Sequence, residues 1–281
     1  MARPHIVQQY RCTSWFPTRL LLPTLVLIWS TTLQIGAATV TWVGGSGDWN
    51  TPANWSSGAL PGPTDDVVID LPGDLTITHS SGDDAVLSIQ CQKNFTLSGG
   101  SLSVVNASQF GGTFTFSAGT LTGAGDVTVT GTLNWTGTGI MGGSGKTIIT
   151  ATAVLNLNTP AAQYYLRRIL QNDGATFWTA GGISMDGGRL DNNGTFTANA
   201  ATTLTCTGYN PSGIASDSDF NNAGTFLKQG TGMASFILTS GNVRFNNSGS
   251  VDVQAGIMSF SAGGSNSGAI QFTSGTSMTF N

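Results

Sequence analysis

A short phrase returns five times in the second half of the chain: Asn172-Asp173-Gly174-Ala175-Thr176-Phe177, Asn192-Asn193-Gly194-Thr195-Phe196, Asn222-Ala223-Gly224-Thr225-Phe226, Asn247-Ser248-Gly249-Ser250-Val251 and Asn266-Ser267-Gly268-Ala269-Ile270. Its glycines stand at 174, 194, 224, 249 and 268, so the steps are 20, 30, 25 and 19 residues. A degenerate period of that length is the length of one solenoid coil. Between the phrases the chain is written in short runs such as Asp66-Val67-Val68-Ile69, Thr113-Phe114-Thr115-Phe116 and Gly256-Ile257-Met258-Ser259-Phe260, each closed by a turn former. Apolar residues at i and i+2 share one face of a strand and scatter around a helix, so these runs are strands. Only Ala161 to Leu170 has the propensity for a short helix, and a pair of strands fits it as well.

A sandwich would show hairpins with turns every ~8–12 residues and no longer period. The period favours a parallel solenoid, in which like positions stack from coil to coil. The expected fold is therefore all-β, a right-handed parallel β-helix with an N-terminal cap and on the order of ten coils. Asn-x-Gly marks one corner, where positive φ would suit both residues. An inward Phe, Val or Ile follows, so Asn ladders and Phe stacks should run along the axis. The uneven steps put variable loops around Gly208-Tyr209-Asn210-Pro211 and Gly230-Thr231-Gly232.

The first residues read differently. Arg3, Arg11 and Arg19 precede the apolar stretch Leu20 to Trp29 and the small residues Gly36-Ala37-Ala38, which is the order of a secretory signal peptide. The apolar run is too short to span a bilayer, so residues 1–38 are expected to be cleaved, leaving no membrane span and a secreted or cell-surface product. Cleavage leaves seven basic against fourteen acidic residues, a net charge of −7, and every acidic residue is Asp. No basic stripe remains to neutralise phosphates, so a nucleic-acid partner is disfavoured. The remaining cysteines, Cys91 and Cys206, sit far apart in strand-like runs and are expected to be buried, unpaired thiols. Residues 39–105 are less regular and read as an N-terminal end unit with the first coils, in which Trp42, Trp49 and Trp55 fold over an otherwise open sheet end. Residues 106–281 read as the repeats, which stop in mid-strand, so that either the chain is truncated at its C-terminal end or a partner covers the open end.

The residues Trp42-Val43-Gly44-Gly45-Ser46-Gly47-Asp48-Trp49, Asn54-Trp55-Ser56-Ser57-Gly58, Leu60-Pro61-Gly62 and Asp65 to Ile69 resemble the opening of the G8-type glycine-rich β-domain. Together with the Asn-x-Gly-Thr-Phe phrases, they also resemble bacterial autotransporter-adhesin-like surface proteins. The resemblance implies a right-handed parallel β-helix with an adhesive or scaffolding role, and it transfers no catalytic residue.

Motifs that suggest chemistry are weak. Gly142-Gly143-Ser144-Gly145-Lys146-Thr147 imitates a phosphate loop, but position 140 is Ile and a strand-like run follows where a helix is required. Asp65-Asp66 and Asp83-Asp84 point to opposite faces of a strand, so neither makes a two-carboxylate site alone. Asp126, Asp186, Asp191, Asp217 and Asp219 read as solvated turn residues. His79, the one histidine after the signal, reads as a surface turn residue. No catalytic, cofactor or metal residue is assigned. Trp135, Trp178 and Tyr209 are the candidate carbohydrate contacts, since an exposed aromatic face can stack on a sugar ring. The expected role is non-enzymatic adhesion or surface scaffolding, with an extracellular polysaccharide or cell-surface component as partner. The alternative is a polysaccharide lyase or glycoside hydrolase on the same scaffold, which would need Asp186, Arg189 and Asp191 to face Asp217 or Asp219 across one cleft.

Overall fold

The computed structural model describes residues 37–208, 217–238 and 241–281. The signal-peptide expectation therefore lies outside the described residues, apart from Ala37 and Ala38. Within the described residues the chain is a parallel β-solenoid. Three sheets of eleven, eleven and ten strands run along it, and every strand pairs in parallel with the equivalent strand one coil away. The first sheet runs from Ala38–Thr41 to Gly264–Asn266, the second from Gly47–Asp48 to Ala269–Phe272, and the third from Asp83–Val86 to Ser277–Phe280. The sheets cross residue 105 without a break. The stretch with helical propensity forms the strands Gln163–Leu166 and Ile169–Asn172, because its Tyr164, Leu166 and Leu170 fit the inward rows of neighbouring coils.

The alternation read from the sequence is the pleat of each strand. In the second sheet the inward row is Ile77, Phe95, Phe114, Leu133, Leu155, Thr176, Phe196, Phe226, Val251 and Ile270. Phe196 and Phe226 stack with centroids 5.5 Å apart and planes 9° apart, whereas Phe95 and Phe114 in the same row meet edge to face at 68°. The first phrase departs from expectation: Thr176 occupies the inward position and Phe177 faces outward, 43% exposed. Counting from the glycine explains it, since the inward residue is always the second after Gly174, Gly194, Gly224, Gly249 or Gly268.

The corner glycines are required for a reason other than φ. None of the five has a positive φ. A Cβ on Gly194 would overlap the carbonyl oxygen of Gly174, one on Gly224 that of Gly194, one on Gly249 that of Gly224, and one on Gly268 that of Gly249. Glycine is used because successive backbones touch at this corner.

The asparagines form the expected ladder. Asn172 Nδ2 donates to Asn192 Oδ1 at 2.7 Å, Asn192 to Asn222 at 2.6 Å, Asn222 to Asn247 at 2.7 Å and Asn247 to Asn266 at 2.7 Å. Each of the first four amides also donates across the corner, to the carbonyls of Thr195, Thr225, Ser250 and Ala269 at 2.9–3.3 Å. These four asparagines are buried, so the paired amides remove a desolvation cost that unpaired ones would carry.

Length varies in the turn from the second sheet to the third, and varies most in the turn from the third sheet to the first. This last turn is longest at 208–217 and longer than usual at 238–242, where Gly241 pairs with Gly208. Gly230-Thr231-Gly232 lies in a lengthened second-to-third turn, since Lys228 to Ser235 and the partner stretch Ala198 to Thr205 each span more positions than the aligned stretch Trp178 to Gly182.

At the N-terminal end Trp42, Trp49 and Trp55 are buried, packed edge to face with centroids 4.8 and 4.6 Å apart. Trp55 Nε1 donates to Trp49 O at 2.8 Å, and Trp49 lies against Phe95 and His79. A 3-10 turn, Pro52–Asn54, stands in this coil where later coils place their third strand.

Candidate functional site

Polar side chains concentrate on the outward surface of the first sheet in its later coils. Register brings Arg189, Asp219 and Arg244 into one row and Asp191, Asn221, Asn246 and Ser265 into the next. Arg244 grips Asp219 with two parallel bonds, Nε to Oδ1 at 2.8 Å and Nη2 to Oδ2 at 3.0 Å, and reaches Asp217 with Nη1 at 3.0 Å. Arg189 folds back onto Asp191, with Nε and Nη2 both within 2.9 Å of the same carboxylate oxygen. Asn221 donates to Asp191 at 2.8 Å, Asn246 to Asn221 at 3.0 Å, and Asn242 to Asp217 at 2.9 Å. Hydrogen bonds from Arg244 hold the Asp219 carboxyl below its ordinary range, and the same pairing raises Arg244.

Arg189, Asp191 and Asp219 thus come together as neighbours on adjacent strands of one sheet surface, with Asp217 just ahead of the strand Ser218–Asn222. Asp186 stands apart, its carboxylate 3.2 Å from Arg167 Nε. Arg244, Asn221 and Asn246 belong to the cluster and escaped the sequence reading. The signal was present in Val243-Arg244-Phe245-Asn246, whose alternation sends Arg244 and Asn246 outward.

Of the candidate sugar contacts, Trp135 and Trp178 are corrected. Their exposures are 1% and 0%, because both fall two residues after an inward residue of the second sheet and so point inward themselves. Trp135 packs on Phe116 and Tyr164, and Trp178 donates from Nε1 to Gly181 O at 3.1 Å. Tyr209 lies outside the described residues.

His79 is also corrected, from the surface to the interior. It is fully buried, with Nε2 2.9 Å from Asp84 Oδ2 and Nδ1 3.0 Å from the Gly99 carbonyl. Its ring belongs to the inward row that continues into Leu97. The phosphate-loop imitation resolves into the strand Lys146–Ile149, with Thr147 turned into the core.

Two cations are buried by using backbone carbonyls. Arg168 donates from Nε to Gly145 at 2.7 Å and from Nη2 to Gly125 and Lys146 at 2.9 Å, tying three coils together. Burial pushes its guanidinium down to about 10, against a smaller opposing effect of Asp126. Lys228 donates to the carbonyls of Gln229, Gly230 and Ala255 at 2.8–3.1 Å, and burial lowers it. Cys91 and Cys206 are free and buried, the first pushed up to about 11 and the second also raised, both chiefly by desolvation.

Among the described residues no three His, Cys, Asp or Glu side chains gather as a metal site, and no helix is long and apolar enough to cross a membrane. Comparison with protein-family models, curated proteins and solved structures returns no match for this chain.

Proposed function

We propose that the protein is an exported, non-enzymatic β-solenoid of the autotransporter-adhesin kind, right-handed and capped by its tryptophan segment, that serves adhesion or surface scaffolding. The observation that carries this reading is how the first face uses its charges. The carboxylates that a hydrolase or lyase would need as acid, base or calcium ligands are held instead by Arg189, Arg244 and the amide rows. Such a lattice makes a long face rigid and polar at the same time, which suits a surface that meets an extracellular polysaccharide or cell-surface component. Export is supported by the basic, apolar and small-residue order of residues 1–38.

The test is fractionation of the full chain expressed with its own N-terminus, followed by co-sedimentation with insoluble extracellular polysaccharide and cell envelopes. The expected result is recovery outside the cytoplasm, sedimentation with one of these materials, and no release of reducing ends or unsaturated sugars. Retention inside the cell would remove the export reading. Sugar release would put the chain among polysaccharide lyases or glycoside hydrolases instead.

A further inference from the structure

The corner between the second and third sheets holds a groove of about 460 Å³ that the polar face does not use. Its walls are 160–163, 179–182 and Thr202, Thr203 and Thr205, so it crosses three successive coils, about 10 Å along the axis at ordinary strand spacing. None of its lining residues carries a charge. Its functional groups are the Gln163 amide, the hydroxyls of Thr179, Thr202, Thr203 and Thr205, and the backbone. Gln163, Thr179, Thr202 and Thr203 are exposed. Gly182 keeps the middle open: it pairs with Gln163 on one side and Thr205 on the other, and a side chain there would press on both.

The groove is held in shape from behind. Tyr164, fully buried, accepts from the Thr159 N–H with its hydroxyl oxygen at 3.1 Å and lies 3.3 Å from the Ala180 carbonyl, which joins two walls. Trp178 Nε1 fixes Gly181 O, and Gly182 N donates to Ala162 O at 2.8 Å. On the rim, Ala161 has φ +60°, the one non-glycine residue with positive φ among the described residues. Strain of this kind persists where the surroundings over-determine a conformation, and it concentrates at binding sites. Two residues before Thr179, on the adjoining face, Phe177 turns its ring to solvent.

We propose that this groove binds a neutral oligosaccharide, with the threonine hydroxyls and Gln163 pairing sugar hydroxyls and Phe177 offering an apolar face beside them. The absence of charge in the lining disfavours phosphates and uronates. A preformed, neutral wall of hydroxyl and amide groups matches a ligand that presents hydroxyls without ionic groups, and prior ordering lowers the cost of binding it. Trp135 and Trp178 then support the site from within, the first by packing on Tyr164 and the second by holding Gly181. This deepens the adhesive reading and rests on it.

The test is affinity electrophoresis of the full chain in gels containing xylan, mixed-linkage β-glucan or galactomannan, with polygalacturonate as the charged comparison. The expected result is retardation by at least one neutral glycan and none by polygalacturonate. The near-isosteric triple change Gln163→Leu, Thr179→Val, Thr203→Val should weaken retardation at least tenfold, and Phe177→Ala about threefold. Thr202→Arg, at an exposed position, should block the groove with the melting temperature unchanged, so a misfolded triple variant would not hide the answer. Gln109→Ala on the first face should bind as the parent does. Equal retardation of all variants would overturn the groove and leave the adhesive reading standing. Retardation only by polygalacturonate, or by no neutral glycan, would overturn the inference even if the chain still sediments with cell envelopes. Sugar release would overturn the non-enzymatic reading while leaving the groove in place.

Discussion

One row of the first sheet changes its chemistry halfway along the molecule. In the early coils its inward residues are Ile69, Cys91, Phe110, Val129 and Ile149; in the later coils the same row is Asn172, Asn192, Asn222, Asn247 and Asn266. Apart from the terminal Asn266 both halves are buried, yet one is held by apolar packing, which is non-directional, and the other by amide bonds, which demand one register. An apolar corner tolerates residues of different size and shape, as Cys91 beside Phe110 shows. The amide corner repeats almost without variation because each rung completes the next. The junction is visible in the bonding, for Asn172 lies on Ile149 and its Oδ1 is left without a partner.

That contrast gives a single change in the middle of the amide half the largest effect. Asn222→Leu keeps the branched shape but orphans Asn247 Oδ1 and the Ser250 carbonyl, at about 1–3 kcal/mol each, so a loss of about 4 kcal/mol is expected in urea unfolding. In the apolar half, Ile149→Asn should cost about 1–2 kcal/mol less than Val129→Asn, because only the former meets a waiting acceptor in Asn172. Equal losses at the two positions would show that the ladder does not extend by pairing.

The next largest effect separates two kinds of glycine. Gly224→Ala drives a Cβ into the Gly194 carbonyl and should cost about 2–3 kcal/mol. Gly73→Ala has open space around it and only a φ of +94° to contend with, so about 1 kcal/mol is expected. Thermal unfolding of both variants checks the order.

The smallest effect belongs to the polar face. The Asp219 carboxyl is lowered by Arg244, so its contribution is fully present above the ordinary carboxylate value and is lost as pH falls through the lowered one. Asp219→Asn should therefore remove up to about 1 kcal/mol at neutral pH and reduce the fall in stability on acidification. An unchanged acid profile would mean that the Arg244 pair contributes nothing measurable.

The fold was legible because period and pleat are both one-dimensional signals. Positions 174 to 268 announce the coil, and alternation announces which residues stack. Readings failed where a second dimension decides. Positive φ was expected at the corner because Gly and Asn share that preference, whereas the true constraint is a carbonyl one coil away. Resemblance to Phe196 points Phe177 inward, although the offset from the glycine assigns that position to Thr176. Trp135 and Trp178 were readable as core from their spacing to Leu133 and Thr176. His79 was not, since nothing local marks Asp84 and Gly99 as its partners. The groove was hidden because it is assembled from three coils around a conformation of Ala161 that alanine rarely adopts.

The largest length changes in this molecule fall in the third-to-first turn, between Gly208 and Ser218 and between Ile237 and Val243, while the Asn-x-Gly corner keeps its spacing in each coil that carries the phrase. A residue inserted at that corner would shift the amide out of reach and place a side chain where Gly224 touches Gly194. Removing or duplicating a whole coil would leave every rung with an equivalent neighbour. The coil is thus the smallest unit in which this protein can grow or shrink without being redesigned, and the outer turn is where it can change contour at constant length.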